Sequence, residues 1–175
     1  MPIPPLSNGV LPMGRWVCTP QEVHDHFVRG LSIERADIWT DWEDLVGVLR
    51  SVVGRVPAAW LSGSFLSSKP VPGDMDSVFL IDTKHLAVVL QANSVDAQVL
   101  ALLASGQAKA QLGLNVDSYI LQWDPRPGPQ DDASDEYYRY RGYWDDLWVR
   151  QRDPDPRLDS IPRRGFLEVI IDGYE

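Results

Sequence analysis

The stretch from residue 58 to residue 82, AAWLSGSFLSSKPVPGDMDSVFLID, constrains the fold of this chain more than any other. It contains an apolar segment, a Gly-Ser pair, a polar loop with two prolines, and a second apolar segment that opens on Asp74 and Asp76. Short apolar runs bounded by glycine and proline are typical of buried strands. We therefore expect one strand over residues 58–62 and another over residues 77–81.

Asp74 and Asp76 are two residues apart where the second predicted strand begins. Because side chains alternate between the two faces of a strand, both carboxylates should project from the same face. Two carboxylates together form a hard oxygen site, which suits Mg²⁺ bound jointly with the phosphates of a substrate. Gly63 and Ser64 end the first strand, where a turn would present backbone N–H groups to phosphate oxygens. The stretch thus predicts a metal site and a phosphate site side by side.

Pairs of acidic residues spaced by one arise by chance in a chain with 25 Asp and Glu among 175 residues, and this chain has three. The first pair, Asp41 and Glu43, falls in a segment of helical periodicity, where side chains two apart do not face each other. The last pair, Asp153 and Asp155, alternates with prolines, which favours an extended loop. Only the middle pair has a strand and a phosphate-type turn before it. An ordinary acidic turn before a buried strand is the alternative.

Helical patterns flank this stretch. The run TPQE at residues 19–22 has the form of a capping box with proline at the first helical position, and it predicts a helix to about residue 29. Apolar residues spaced by three and four predict a long helix between Ser32 and Gly54. Further helices are expected to start at Thr83 and Ser94.

Two more strands are expected, over residues 114–121 and 166–171. A chain of 175 residues is long enough for one domain with a real core and too short for two comfortable ones. We therefore expect a single α+β domain over residues 19–175, with a mixed β-sheet packed with helices. Residues 1–18, rich in proline and glycine, are expected to form an extended arm laid on that domain.

Asp117 is an acidic residue embedded in an apolar strand pattern. Burial of a carboxylate costs free energy unless the group is paired or bound to a metal. Its position therefore favours a functional role, and a surface aspartate at the end of a strand is the alternative.

The order of an apolar strand, Gly63-Ser64, a spacer and Asp74-Met75-Asp76 resembles the Gly-Ser and Asp-x-Asp signature of the nucleotidyltransferase superfamily. The wider runs NGVLPMGRW, TPQEVHDHFV and GSFLSSKPVPGDMD are similar to a nucleotidyltransferase-like branch of bacterial and phage proteins. These matches extend over residues 8–82 and, more weakly, to the C-terminal strand. The resemblance implies a nucleotidyltransferase-like fold.

The resemblance also implies an activity, which is transfer of a nucleoside monophosphate from an NTP such as ATP to a hydroxyl acceptor on RNA, protein or a small molecule. The implied cofactor is Mg²⁺ or Mn²⁺. A third carboxylate on a later strand would complete the metal site or accept the proton of the attacking hydroxyl. The implied residues are Asp74, Asp76 and Asp117 for metal binding and catalysis, and Gly63, Ser64 and Lys69 for nucleotide binding.

The loop after Gly63-Ser64 lacks the Ala-Arg-Gly run of the small nucleotidyltransferases of toxin–antitoxin modules, which leaves the substrate and the phosphate-binding cation open. Arg139 and Arg141, interleaved with aromatic residues, are further candidates for the phosphate side. The alternative function is a catalytically silent member of the fold that acts by protein contact, as a phage, defence or toxin–antitoxin regulator. Seven Trp, six Tyr and two loops rich in Pro and Asp, expected over residues 123–134 and 152–162, suit such a surface.

The net charge of −9 argues against extended binding to DNA, which depends on clustered Lys and Arg. It leaves a small nucleotide possible as a ligand, since a metal supplies positive charge locally. No apolar run approaches the length that spans a membrane. The first ten residues have neither the basic nor the apolar region of a secretory signal, which favours a cytoplasmic location.

Overall fold

The computed structural model describes residues 3–92, 94–124 and 132–175, and five strands form one open mixed sheet among them. The sheet order is β1-β5-β2-β3-β4. Strands β1 and β5 pair in parallel, as do β3 and β4, whereas β2 is antiparallel to both of its neighbours. The strands are β1 Arg15–Cys18, β2 Ala58–Ser62, β3 Met75–Asp82, β4 Val116–Trp123 and β5 Phe166–Ile170.

Seven helices lie within the described residues, and the first two start where the sequence predicts. Thr19 and Glu22 form the capping box of the first helix, and the Ser32 side chain accepts a hydrogen bond from the Arg35 N–H at the start of the second. The helices are α1 Pro20–Phe27, α2 Ile33–Val53, α3 Thr83–Gln91, α4 Val95–Ala104, α5 Ala108–Leu112, α6 Asp132–Trp148 and α7 Pro156–Asp159. Within the described part of the chain, no helix has both the length and the apolar character needed to cross a membrane.

The two faces of the sheet bury different sets of side chains. Helices α1 to α5 cover one face and form the larger core, to which the sheet contributes residues such as Leu61 and Phe79. The second face carries Trp60, Val78 and Leu121, which pack against Trp148 of α6. Alternation along the strands therefore separates a fully covered face from one that a single long helix covers.

The single mixed α+β domain predicted from the sequence is confirmed, with one additional strand. Within the predicted arm, residues 15–18 pair with β5 and form an edge of the sheet. Their short length and their proline- and glycine-rich surroundings gave no strand pattern, and the strand depends on pairing with a segment about 150 residues further along the chain.

Several boundaries also differ from the prediction. Strand β3 begins at Met75, so that Asp76 lies inside the strand. The cap of α3 is Asp82 rather than Thr83, because the Asp82 carboxylate accepts a hydrogen bond from the Lys84 N–H. A helical turn, α7, interrupts the loop expected over residues 152–162. Most of the loop expected over residues 123–134 lies outside the described residues, and α6 begins at residue 132.

Candidate functional site

The three predicted carboxylates come together at one end of the sheet. Asp76 and Asp117 are register partners on the parallel strands β3 and β4, so their side chains project from the same face. Asp74 immediately precedes β3, two residues before Asp76, and its charge acts on both of the other carboxyl groups. This face is the one that α6 covers. The strand register thus places Asp76 and Asp117 side by side, and Asp74 lies next to them just before β3.

The surroundings of Asp76 and Asp117 disfavour the charged forms of these two carboxyl groups. Burial, followed by the nearby charges of Asp74 and Asp117, raises the pKa of Asp76 to about 6. Burial and Asp74 likewise raise the pKa of Asp117. A site in which nearby carboxylates raise the pKa of Asp76 and Asp117 gains from a bound cation or from a shared proton.

Lys109 supplies one such cation, although no pattern in the sequence predicts its place in the site. Its Nζ lies 2.5 Å from Oδ2 of Asp74, and both side chains are partly exposed. The hydrogen bond to Asp74, with the charges of Asp117 and Asp76, raises the pKa of Lys109. Lys109 belongs to the short helix α5, and no sequence pattern shows that this helix lies against the start of β3.

Gly63 forms the corner that the Gly-Ser motif predicts, directly beside a carboxylate. It adopts φ +84° and ψ −171°, a conformation that is essentially restricted to glycine. A Cβ atom at this position would clash with Oδ2 of Asp76. Ser64 starts a single 3-10 turn, Ser64–Leu66, rather than a longer helix. The glycine is therefore required both by its backbone conformation and by the closeness of the carboxylate.

The loop after this corner is held by a buried arginine. The Arg35 guanidinium, only 3% exposed, donates hydrogen bonds to the carbonyl oxygens of Phe27, Phe65, Ser67 and Lys69, at 2.8 to 3.1 Å. Because Arg35 fixes the backbone at Lys69, it places the Lys69 side chain at the edge of the site. The sequence predicts only that Arg35 lies near the start of the helix that follows Ser32, since three of its four partners are 30 or more residues away.

Arg164 is a second arginine that sequence reasoning missed. It is largely buried, and its Nη2 donates a hydrogen bond of 2.8 Å to the Gly63 carbonyl oxygen. Its charge and that of Arg152 lower the pKa of Asp76, although burial and the other carboxylates outweigh them. Both arginines therefore lie close to the carboxylates, where they can bind an anion.

Helix α6 carries Arg139 and Arg141, which the sequence suggested as phosphate-binding residues, but it does not place them in the site. Neither Arg139 nor Arg141 is among the described residues that line the cleft around the three carboxylates. The Arg141 guanidinium lies over the Trp60 ring, 5.3 Å from its centroid, and donates a hydrogen bond to the Tyr137 hydroxyl. The Arg139 guanidinium lies 5.3 Å from the ring centroid of Tyr140. Both arginines stack on aromatic rings, which the interleaved sequence pattern permits equally well.

These groups surround a cleft of about 760 Å³. That volume is within the range of small-molecule sites. The cleft has a carboxylate side, an arginine and lysine edge, and a wall of aromatic rings. Its described lining includes Gly63, Ser64, Lys69, Asp74, Asp76, Asp117, Tyr119, Tyr143, Trp144, Trp148, Arg150, Arg152 and Arg164. All six predicted site residues are in this lining.

The donor set suits Mg²⁺ in its chemistry but not as a complete protein site. Carboxylate oxygens are the ligands that Mg²⁺ prefers, and it commonly uses one or two of them together with substrate phosphates. Among the described residues, no group of three or more His, Cys, Asp and Glu is arranged so that it could hold a metal ion. Asp74, moreover, is engaged by Lys109. Asp74 and Asp76 therefore fit a metal only when a ligand contributes further oxygen atoms.

The fold and the cleft define a single-domain mixed α+β protein with an acidic, arginine-edged cleft on one face of its sheet. The chain belongs to DUF6932, a family of unknown function, whose model matches residues 4–170. No curated protein and no solved structure matches the chain. The family description names no activity, so the resemblance to nucleotidyltransferases stays a prediction.

Proposed function

We propose that this protein is a cytoplasmic nucleotidyltransferase that transfers a nucleoside monophosphate from an NTP to a hydroxyl acceptor. The observation that carries the proposal is the register of Asp76 and Asp117, which places both carboxylates on one face of the sheet beside Asp74. These carboxylates line a cleft that Lys69, Arg152 and Arg164 also line. Such a site can bind an anionic substrate and hold a divalent metal between the substrate and the carboxylates.

The cationic edge accounts for binding of the triphosphate. Arg152 and Arg164 are close enough to Asp76 for their charges to oppose the rise in its pKa. Lys69 borders the same cleft. The turn at Gly63 and Ser64 brings the backbone within reach of the same space because no side chain intervenes at Gly63. Phosphate oxygens placed here would contact guanidinium groups and lie next to the carboxylates.

Asp74 and Asp76 would hold Mg²⁺ or Mn²⁺ together with phosphate oxygens of the NTP, and Asp117 would lie beside them as the proton acceptor. A metal bound there supplies neutralisation of the charge that develops on the transferred phosphoryl group. Lys109 would leave Asp74 as the metal and the substrate bind, since the metal and the lysine compete for the same carboxylate oxygen. The raised pKa of Asp76 is consistent with a carboxylate that needs a cation beside it.

In the reaction, the oxygen of the acceptor hydroxyl forms a bond to the α-phosphorus as the bond from that phosphorus to the bridging oxygen breaks. Pyrophosphate leaves, and the hydroxyl proton passes to Asp117. Burial and the charge of Asp74 raise the pKa of Asp117, which makes this carboxylate a better proton acceptor than an exposed aspartate. The acceptor is a hydroxyl of RNA, of a protein or of a small molecule.

The test is incubation with NTPs labelled at the α-phosphate, with Mg²⁺ or Mn²⁺, followed by detection of labelled protein, RNA or small molecules and of pyrophosphate. The proposal predicts label transfer by the wild-type protein and a loss of at least about 100-fold in Asp74→Ala and Asp76→Ala. Glu43→Ala is the matched control, because Glu43 belongs to an equally spaced acidic pair outside the cleft. Label transfer that survives both aspartate changes would exclude this site.

The second candidate function is a catalytically silent protein-binding module. It is favoured by the ion pair of Lys109 with Asp74, which neutralises one carboxylate without a metal. Exposed tyrosines of α6, Tyr138 and Tyr140, add a surface of the kind that is common in interfaces. Absence of label transfer with every NTP, and absence of thermal stabilisation by metal and nucleotide together, would favour this function.

A further inference from the structure

We propose that the aromatic wall of the cleft, formed by Tyr119, Tyr143 and Trp144, binds the nucleobase of the substrate by stacking. The inference rests on the proposed function, because it assigns the part of the nucleotide that lies away from the phosphates. It names a binding surface that the Gly-Ser and Asp-x-Asp motifs do not include.

The wall is a connected set of rings with Trp144 in the middle. The ring centroid of Trp144 lies 4.8 Å from that of Tyr119 and 5.1 Å from that of Tyr143. Gly106 packs closely against Tyr119, since a Cβ atom at Gly106 would lie 2.8 Å from the Tyr119 ring. The rings of Tyr119 and Trp144 are therefore fixed by packing before any ligand arrives, which lowers the entropic cost of stacking a ligand on them.

Tyr143 is the most exposed of the three rings. It is 56% exposed although it lines the cleft. Trp148, one helical turn after Trp144 on α6, is only 5% exposed, and its Nε1 donates a hydrogen bond to the Trp60 carbonyl oxygen. Trp148 thus accounts for the packing of α6 on the sheet, and Tyr143 is left free to contact a ligand.

The wall also lies at a suitable distance from the carboxylates. Tyr119 follows Asp117 by two residues on β4, so both project from the same face, about 7 Å apart along the strand. A ligand with its phosphates near Asp76 and Arg164 would extend its sugar and base toward the rings. The cleft volume of about 760 Å³ accommodates such an elongated ligand.

The experiment compares two ligands that differ in the base and sugar. Binding of Mn²⁺ with tripolyphosphate and of Mn²⁺ with α,β-methylene-ATP is measured by calorimetry for the wild-type protein and three variants. The proposal predicts that the wild-type protein binds the nucleotide at least about 5-fold more tightly than tripolyphosphate. Tyr143→Ala should lose most of that preference, and Tyr143→Phe, which keeps the ring, should retain it.

Tyr140→Ala is the matched control, because Tyr140 lies on the same helix, is exposed to a similar degree, and is not among the described residues lining the cleft. It should retain the preference. Tight binding of tripolyphosphate with no preference for the nucleotide would overturn the base-stacking proposal and leave the phosphate site intact. Binding of neither ligand would overturn the proposed function and the inference with it. Thermal unfolding of each variant verifies that it is folded.

Discussion

Asp76 and Asp117 occupy the same register position on the parallel strands β3 and β4, although 41 residues separate them along the chain. Because register partners share a face, this pairing fixes the direction of both carboxylates through the backbone of the sheet. The Asp41 carboxylate of α2 supports it, since it accepts hydrogen bonds from the backbone and side-chain nitrogens of Asn115, at 2.8 and 2.9 Å, just before β4. The candidate site is therefore built on regular elements rather than on loops alone.

Charge at Asp76 should cost stability, and Asp76→Asn should remove that cost. The folded pKa of about 6 exceeds the value of about 3.9 for an unfolded aspartate, so the folded protein holds this proton more tightly. The stabilisation from the bound proton is complete below about pH 4 and is lost as the pH rises through about 6. Asp76→Asn should exceed the wild-type free energy of unfolding by about 1–3 kcal/mol near pH 8.

The measurement for Asp76→Asn is urea unfolding of both proteins without metal at several pH values. The difference should become small near pH 4, where the wild-type carboxyl group is protonated. A difference that does not change with pH, or a variant less stable at every pH, would contradict the raised pKa.

Gly63→Ala should destabilise the protein by more than backbone strain alone. Gly63 and Gly54 have nearly equal φ values, +84° and +82°, but only at Gly63 would the added Cβ meet a neighbouring side chain, that of Asp76. We expect a loss of about 1–2 kcal/mol for Gly54→Ala and of at least about 3 kcal/mol for Gly63→Ala, by urea unfolding. Equal losses would show that Asp76 does not lie against this corner.

Lys109→Met should strengthen metal binding. The lysine occupies Oδ2 of Asp74, and methionine keeps the hydrocarbon stem without the charge. Removal of a partly exposed ion pair should raise the affinity for Mn²⁺ by about 2- to 5-fold, measured with nucleotide present by electron paramagnetic resonance. Lys84→Met, at an exposed lysine of α3, should leave the affinity unchanged. An unaltered affinity in Lys109→Met would indicate that Asp74 does not bind the metal.

Arg35→Met should release the loop that carries Lys69. Four carbonyl oxygens lose their donors, including those of Phe65 and Ser67, and the free energy of unfolding should fall by about 3 kcal/mol or more. Arg35→Lys should recover only part of this loss, because one ammonium group cannot reproduce a planar fork of donors. Hydrogen exchange should accelerate in residues 65–69. Full recovery by lysine would contradict the bonding described here.

The sequence predicted well what depends on local patterns. The capping box at Thr19 and Glu22 forms as predicted, and the strand over residues 58–62 has the predicted bounds. The strand predicted over residues 114–121 also forms, as Val116–Trp123, because strand periodicity does not depend on which strand lies beside it.

The rest of the site depends on contacts between distant segments. Lys109, Arg164 and Arg35 reach the site through hydrogen bonds to residues 30 or more positions away, and no local sequence pattern encodes those contacts. Arg139 and Arg141 illustrate the opposite error, since a suggestive local pattern was satisfied by aromatic stacking away from the cleft. Tertiary placement, rather than residue type, decides which cations serve the site.

The most direct test of the central claim is a crystal structure with Mn²⁺ and a non-hydrolysable NTP, examined for anomalous scattering. We predict a peak about 2.1 Å from carboxylate oxygens of both Asp74 and Asp76, with phosphate oxygens completing the coordination and Lys109 displaced from Asp74. A nucleotide bound elsewhere, or a cleft in which Lys109 still holds Asp74 and no peak is present, would contradict the proposal.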